Sequence, residues 1–367
     1  MTIVMPSEAT VSRAPGLKIA FVAPARYPIR EPYAGGLEAF CHTMVRALSL
    51  EGHEVDFYAA RGSDGNCPEF ELPGVDWGAS PELTSDTGYP EGEREREDRA
   101  FIELRQLLVQ RGYDVVHNNS LSPWMFPSPE SPQALPMVTT LHTPVLDELQ
   151  AVIDRAGADA GEFAAVSHAT ASNWRTPSPV TVIPNGVNVS DWTPGPGGAA
   201  AVWFGRLVPE KGPHLAIDAC RLLGLPLLLA GRKGDHRYFQ EEIAPRLNGE
   251  SIRWLGELSH AGLRSLVGSC AVTVVTPRWE EPFGLVAFES MACGTPVAAF
   301  ARGGLGELLA KAPAALAQPD DVVSLAEAIH SALHIKRPTV REWVVDNHSL
   351  IQTARRYTDF YREVMVK

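Results

Sequence analysis

The stretch EEPFGLVAFESMACGTPVAAF, residues 280–300, contains a turn, a helix and a strand in succession. The apolar run AVTVVTP, which starts at Ala271, leads into the turn, and the helical segment that opens at Gly284 stops at Gly294. The apolar run PVAAF then follows directly from Pro296. Short, nearly continuous apolar strands separated by a helix predict a parallel sheet that is covered on both faces.

The same alternation of apolar runs and helical patterns extends along the chain. In the second half the runs begin at Ala200, Pro226, Ser251, Ala271, Pro296 and Ala314. In the first half they begin at Leu17, Glu54, Asp114, Met137, Glu162 and Val180. Two α/β domains with doubly wound parallel sheets are therefore predicted, and 367 residues suffice for two hydrophobic cores.

The two sets of strands are separated by VSDWTPGPGGAA, which starts at Val189 and is rich in proline and glycine, as linkers are. We predict a flexible tail over 1–16, a first domain over 17–188, a linker over 189–198 and a second domain over 199–345. The final segment, 346–367, has an amphipathic pattern and is predicted to pack back on the first domain.

Composition restricts the partners of this chain. A net charge of −12 opposes binding to nucleic acid, and it makes docking on anionic membranes less expected. No apolar run approaches the roughly 20 residues that span a bilayer, and the N-terminal residues do not resemble a secretion signal. We therefore expect a soluble, cytoplasmic protein. The five cysteines form no CxxC pair, which favours buried thiols over a zinc site or disulfides.

Charged side chains stand where strands are predicted to end, and ligands of parallel α/β sheets bind there. Arg206 and Lys211 flank a loop and suit a diphosphate, although two cations alone can also be ordinary surface residues. Gly284 opens a helix whose N-terminal amides can bind an anion. Glu281 and Glu289, on either side of this glycine, can accept hydrogen bonds from the hydroxyls of a sugar and of a ribose.

These segments resemble a known family. EPFGLVAFE resembles the E-x7-E signature of retaining glycosyltransferases of the GT-B fold, in particular glycosyltransferase family 4. GRLVPEKG resembles that family's diphosphate loop, AGGLE its N-terminal glycine loop and TLHT its active-site histidine segment; IPNGVN and RGGLGELL also match in order. The resemblance implies two facing Rossmann-like domains with a cleft between them, the first on the acceptor side and the second binding the nucleotide-sugar.

Roles follow from this resemblance, position by position. It implies that Arg206 and Lys211 bind the donor diphosphate, that Glu281 holds sugar hydroxyls, that Glu289 holds ribose hydroxyls, and that His142 contacts the donor sugar. The implied catalytic residues are His142, Arg206, Lys211 and Glu281. The implied donor-binding residues are Gly35, Gly36, Gly205, Arg206, Lys211, Gly231, Arg253, Leu255, Glu281, Phe283, Gly284, Leu285 and Glu289.

The expected function is transfer of a sugar, with retention of configuration, from a nucleotide-sugar to an unidentified hydroxyl acceptor. A UDP-sugar is favoured and a GDP-sugar comes next; AGRKGD, from Ala230, departs from the Gly-Asp-Gly turn of many relatives, so the base stays open. Because no Asp-x-Asp motif occurs, we expect no metal and no other cofactor.

Several alternatives remain open. The chain can instead be a catalytically silent nucleotide-sugar-binding subunit, or an epimerase or phosphorylase of the same fold. A nicotinamide-dependent dehydrogenase is disfavoured, since no GxGxxG follows the first strand. Acceptor groups are expected from the loops at residues 27–33, 62–99 and 118–132, where Trp124, Met125 and Phe126 form either an apolar platform or core.

Overall fold

The computed structural model describes residues 15–78, 88–129 and 131–366, and these form two six-stranded sheets. The first sheet contains β1 (Lys18–Val22), β2 (Glu54–Tyr58), β3 (Val115–Asn118), β4 (Met137–Leu141), β5 (Glu162–Ala165) and β6 (Thr181–Val182), in the order β2-β1-β3-β4-β5-β6. All neighbouring strands pair in parallel. The chain reverses its direction of winding between β1 and β3, so a crevice opens at the carboxyl ends of these strands.

The second sheet repeats this plan with β7 (Ala201–Phe204), β8 (Leu227–Ala230), β9 (Ile252–Trp254), β10 (Val272–Val275), β11 (Val297–Phe300) and β12 (Ala315–Ala317). The order is β12-β11-β10-β7-β8-β9, and the winding reverses between β7 and β10. Each predicted apolar run contains one of these strands, and every residue of β7, β10 and β11 is buried. The predicted doubly wound α/β architecture is confirmed.

Helices cover both sheets. The first domain contains α1 (Gly36–Leu50), α2 (Glu93–Arg111), α3 (Asp147–Ala156) and α4 (His168–Asn173). The second contains α5 (Pro213–Leu222), α6 (His236–Tyr238), α7 (His260–Gly268), α8 (Leu285–Ala292), α9 (Gly303–Leu309), α10 (Val322–Ala332) and α11 (Arg337–His348). Among the helices of the described ranges, none is both long and apolar enough to cross a bilayer.

The last helix, α12 (Leu350–Val366), returns to the first domain and packs against α1. Its buried side chains, among them Tyr357 and Tyr361, join the core beneath β1 and β3. Tyr361 Oη hydrogen-bonds His117 Nδ1 over 2.7 Å, His117 Nε2 bonds Thr140 Oγ1 over 2.8 Å, and Thr140 Oγ1 bonds Tyr357 Oη over 3.0 Å. The first core therefore includes a helix that is encoded after the whole second domain.

The boundary before this helix lies slightly beyond the predicted residue 345. Helix α11 packs against α8 of the second domain and extends to His348, whose ring centroid lies 4.5 Å from that of Phe288. The aromatic contact keeps the end of α11 on the second domain, and the chain crosses at Ser349. The sequence pattern did not reveal this boundary, because only Ser349 separates α11 from α12.

Candidate active site

A cavity of about 830 Å³ lies between the carboxyl ends of the two sheets. Its walls come from the loops that follow β1, β3 and β4 in the first domain and β7, β8 and β10 in the second, together with the starts of α1 and α8. Both crevices created by the reversals of winding therefore open into the same space. Such an interdomain cavity at strand ends is where α/β folds bind ligands.

The N-termini of α1 and α8 meet in this cavity from opposite domains. A Cβ on Gly36, the first residue of α1, would lie 3.4 Å from Leu285 Cδ1, at the start of α8. Gly284 has a φ of 82°, and a Cβ there would lie 2.6 Å from Leu305 Cδ1, so this turn requires glycine. Two helix N-termini with their backbone amides directed into one space form a site for an anion.

Lys211 and Glu281 form an ion pair beside these helix ends. Lys211 Nζ lies 2.5 Å from Glu281 Oε2, which also accepts a hydrogen bond of 2.9 Å from Trp279 Nε1. Glu281 is only 8% exposed, so its two donors compensate for a carboxylate that has left water. The lysine loop is fixed because Trp203 Nε1 donates to Thr276 Oγ1, which donates to the Lys211 carbonyl over 2.8 Å.

Arg206 follows β7 and lines the cavity. Burial, and then the charge of Arg232, lower the pKa of Arg206. The backbones behind the two arginines are in close contact, since a Cβ on Gly231 would lie 1.9 Å from the Gly205 carbonyl oxygen. Gly205 and Gly231 therefore allow β7 and β8 to end side by side, which directs two cations into the same part of the cavity.

His142 follows β4 and lines the opposite wall. Burial lowers the pKa of His142 to about 3, so the imidazole is neutral near neutral pH. The side-chain amide N–H of Asn119 donates to the His117 carbonyl. This bond orients the side-chain oxygen of Asn119 towards His142 Nε2, at 2.8 Å. Nε2 therefore carries the proton, and Nδ1 is left as a hydrogen-bond acceptor.

Glu289 lies in α8 and also lines the cavity. Burial raises its pKa to about 8, so the carboxyl group is largely protonated at neutral pH. Phe283, another predicted donor residue, is 3% exposed and stacks on Phe288 with 4.4 Å between the ring centroids. The structure thus brings together Gly35, Gly36, His142, Gly205, Arg206, Lys211, Gly231, Glu281, Phe283, Gly284, Leu285 and Glu289 around one cavity.

Arg253 and Leu255 are not brought to this cavity. Arg253 is exposed within β9, and Leu255 is 36% exposed. Alternation along the strand directs Trp254 inward instead, where its Nε1 donates to the Gly231 carbonyl over 3.0 Å. The turn at Gly256, with a φ of 78°, then places Glu257 and Leu258 in the wall, directly after the predicted segment Arg253 to Gly256.

Tyr27, in a loop predicted to contact the acceptor, lines the cavity. The cavity also includes residues that the sequence interpretation missed, namely Arg26, Glu38, Trp279 and Arg232. Glu38 and Arg232 stand inside the quoted segments AGGLE and AGRKGD, and the others stand in loops after predicted strands. A rule that takes every polar side chain from the end of a strand to the first turn of the next helix would have included them. The suggested platform is absent, because Met125 and Phe126 are 0% and 1% exposed and belong to the core.

Two protein-family models match the chain. The model described as Glycosyltransferase Family 4 matches residues 34–191, and the model described as Glycosyl transferases group 1 matches residues 196–354. The first match covers the first sheet from α1 onward, and the second covers the second sheet. Their junction falls within the predicted linker.

Individual relatives agree with these models. Glycogen synthase of Mycobacterium tuberculosis is 35% identical over 165 residues, or 42% of this chain and 40% of that enzyme. The chain thus spans less than half of that relative's length. D-inositol 3-phosphate glycosyltransferase of Jonesia denitrificans is 24% identical over 378 residues, which cover 85% of this chain and 86% of that enzyme.

The fold is shared with solved structures. The crystal structure of the Anabaena protein HepE in complex with UDP-glucose superposes with a TM-score of 0.71 at 17% identity, over 95% of this chain and 100% of that chain. This likeness concerns the arrangement of the two domains, which is the GT-B fold. With both halves matched in order and the fold in common, the chain belongs to the glycosyltransferases of the family 4 type.

Proposed function

We propose that this protein is a retaining glycosyltransferase that moves a sugar from a nucleoside diphosphate sugar to a hydroxyl group. One observation carries the proposal: two helix N-termini, Arg206 and the Lys211–Glu281 pair converge in a single interdomain cavity. Helix N-termini and buried cations recognise a diphosphate, and a carboxylate beside them recognises sugar hydroxyls.

In the proposed complex the diphosphate lies between the glycine loop at Gly35–Gly36 and the start of α8. Arg206 and Lys211 offset the negative charge that grows on the diphosphate as its bond to the sugar breaks. Glu281 accepts hydrogen bonds from sugar hydroxyls, and the neutral His142 accepts one through Nδ1. We assign the ribose hydroxyls to Glu289.

The proposed reaction breaks the bond between the anomeric carbon and the phosphate oxygen, and the electron pair leaves with the nucleoside diphosphate. The acceptor oxygen bonds to the same carbon from the same face, which retains the configuration, and its proton passes to the leaving phosphate. Retention is supported by the E-x7-E resemblance. Positive charge from Arg206, Lys211 and the helix ends supplies what a divalent metal would otherwise provide, so we propose that transfer needs none.

The proposed donor is a UDP-sugar, with a GDP-sugar as the next candidate. Support comes from the HepE structure, whose ligand is UDP-glucose. The acceptor is proposed to bind at the first-domain end of the cavity, which is lined by polar and charged side chains such as Arg26, Tyr89, Arg94, Glu97, Asp98 and Ser120. These groups suit a hydroxylated acceptor better than an apolar chain.

The deciding experiment is a calorimetric binding panel of UDP-, dTDP-, GDP- and ADP-sugars, each measured with and without a metal chelator. We expect selective binding of one base that survives the chelator. Release of nucleoside diphosphate and transfer of labelled sugar to hydroxyl acceptors then test catalysis. Absence of binding by every sugar nucleotide contradicts the proposal, and binding without transfer indicates a silent subunit.

A further inference from the structure

Glu38 is an acidic side chain at the point where the donor diphosphate is proposed to lie. It stands in the first turn of α1, lines the cavity and is only 9% exposed. A Cβ on Gly35 would lie 3.0 Å from Glu38 Oε2, so the carboxylate is folded back over the glycine loop. It also accepts a hydrogen bond from its own backbone N–H. The carboxylate therefore already occupies the N-terminal end of α1.

The charged surroundings of Glu38 come from both domains. Arg26 follows β1, while Arg206 and Arg232 follow β7 and β8, and all three stabilise the ionised carboxylate. The titratable side chains of Tyr27 and Cys41 also interact with Glu38. Burial outweighs the three arginines and raises the pKa of Glu38 above its ordinary range. The ionised form thus depends on cations that a diphosphate would also bind.

We propose that Glu38 is a built-in counter-anion of the donor site, and that binding of the donor diphosphate requires the Glu38 carboxylate to take up one proton. This inference rests on the proposed function. A diphosphate at the glycine loop competes with Glu38 for the amides of α1 and for Arg206. Without those partners, an ionised Glu38 would face two phosphate charges across a partly buried site.

Protonation removes that repulsion and makes the carboxyl group a donor. The O–H of Glu38 can then bond a phosphate oxygen, and such bonds to charged acceptors are short and strong. Rotation of the Glu38 side chain into water is less favourable than protonation, because the residue is held in the first turn of a helix and is almost fully buried. Above the pKa of Glu38 in the free protein, donor binding therefore weakens as the pH rises.

The test is calorimetric titration of the full chain with UDP-glucose near neutral pH, in two buffers with different enthalpies of ionisation. UDP-glucose is suitable because its diphosphate, esterified at both ends, does not titrate in this range. We expect the wild type to take up protons on binding and to lose affinity with rising pH, by up to about tenfold per unit. In Glu38→Gln we expect no uptake, a flat pH profile and tighter binding at high pH.

Glu210→Gln is the matched control. Glu210 also interacts with Arg206, but it does not line the cavity, so this variant should keep the proton uptake of the wild type. Uptake that persists in Glu38→Gln, or that disappears only in Glu289→Gln, overturns the inference. Binding by the wild type with no proton exchange also overturns it, while leaving the proposed function intact. A wild type that does not bind UDP-glucose removes the proposed donor and this inference together.

Discussion

At the scale of single residues, the two oxygens of the Glu281 carboxylate have different surroundings. Lys211 and Trp279 both donate to the same oxygen, Oε2. The other oxygen is left to accept from a ligand. An incoming sugar can therefore bind to Glu281 without first breaking the ion pair, and Lys211 keeps its place beside the anion site.

Replacing Glu281 by alanine should lower kcat/KM by about 10²-fold or more, as losing one preorganised polar group in a transition-state site does. The fold should survive, because Lys211 is a quarter exposed and can be hydrated after the change. Steady-state kinetics and circular dichroism are the measurements. Glu280→Ala is the control, since this neighbouring carboxylate is exposed. Turnover near the wild-type level in Glu281→Ala would show that the site is assigned incorrectly.

Glu289 gives a prediction about pH. Its pKa is raised to about 8 in the folded protein, above the ordinary value of an unfolded glutamate. Between these two values the unfolded chain binds fewer protons at this residue than the folded one, so its contribution destabilises the fold increasingly as pH rises. Glu289→Gln should thus raise the Tm of the ligand-free protein more at about pH 8 than at about pH 5. A gain that is equal at both pH values, or matched by Glu280→Gln, would refute this explanation.

Much of the candidate site follows from the sequence, for a physical reason. Lys211, Glu281 and Gly284 are fixed by local turn and helix geometry, which short segments encode. The pairing of His142 with Asn119 depends on β3 and β4 lying side by side, and local patterns do not specify that contact. Glu38 was overlooked because an acidic residue in the first turn of a helix usually has a capping role.

At the scale of elements, α12 completes one core of the first domain. Its Tyr357 and Tyr361 meet His117 and Thr140 in a buried chain of hydrogen bonds. Burial lowers the pKa of His117 well below its usual range, so the ring is neutral and needs one donor and one acceptor. The hydroxyls of Tyr361 and Thr140 supply these two partners.

Tyr361→Phe should lower the free energy of unfolding by about 1–3 kcal/mol, because it leaves His117 Nδ1 buried without a partner. Urea denaturation monitored by fluorescence measures this quantity. Arg362→Gln is the control on the same helix, where an exposed pair with Asp359 is lost and little change is expected. Equal stability of Tyr361→Phe and the wild type would mean that the hydrogen bond contributes nothing.

The elements were more predictable than their ends. Every predicted apolar run contains a strand, because a strand buried on both faces needs an unbroken apolar segment whatever its neighbours are. The ends depend on contacts that are distant in sequence. The tilted ring contact between His348 and Phe288 holds the end of α11 on the second domain, past residue 345, and the inward Trp254 leaves the cavity wall to Glu257 and Leu258.

At the scale of the whole molecule, the two domains are joined by a specific contact beside the cavity. Glu307 of α9 accepts hydrogen bonds from the backbone amides of His168 and Ala169 at the start of α4, over 3.2 and 2.8 Å. A carboxylate of one domain thus caps a helix of the other. We expect this cap to restrict the angle between the walls of the cavity.

Glu307→Ala should weaken donor binding by roughly fivefold, equivalent to about 1 kcal/mol, the usual value of a helix cap. Without the cap the two domains move more freely relative to each other, and fixing their arrangement when the donor binds costs free energy. Calorimetry with the donor identified in the panel gives the dissociation constant. Glu327→Ala, which removes an exposed carboxylate of α10, should leave it unchanged. An unaltered constant in Glu307→Ala would mean that the cap does not set the geometry of the cavity.

The return of α12 to the first domain has a consequence for biosynthesis. The ribosome makes the strands of the first sheet early, but Tyr357 and Tyr361, which complete its core, emerge only after the whole second domain. The second domain, whose strands and α11 all precede α12, can close its own core sooner. The nascent chain is therefore expected to fold its second domain first. The first domain stays incompletely folded until α12 is made, and its exposed apolar surface can bind chaperones.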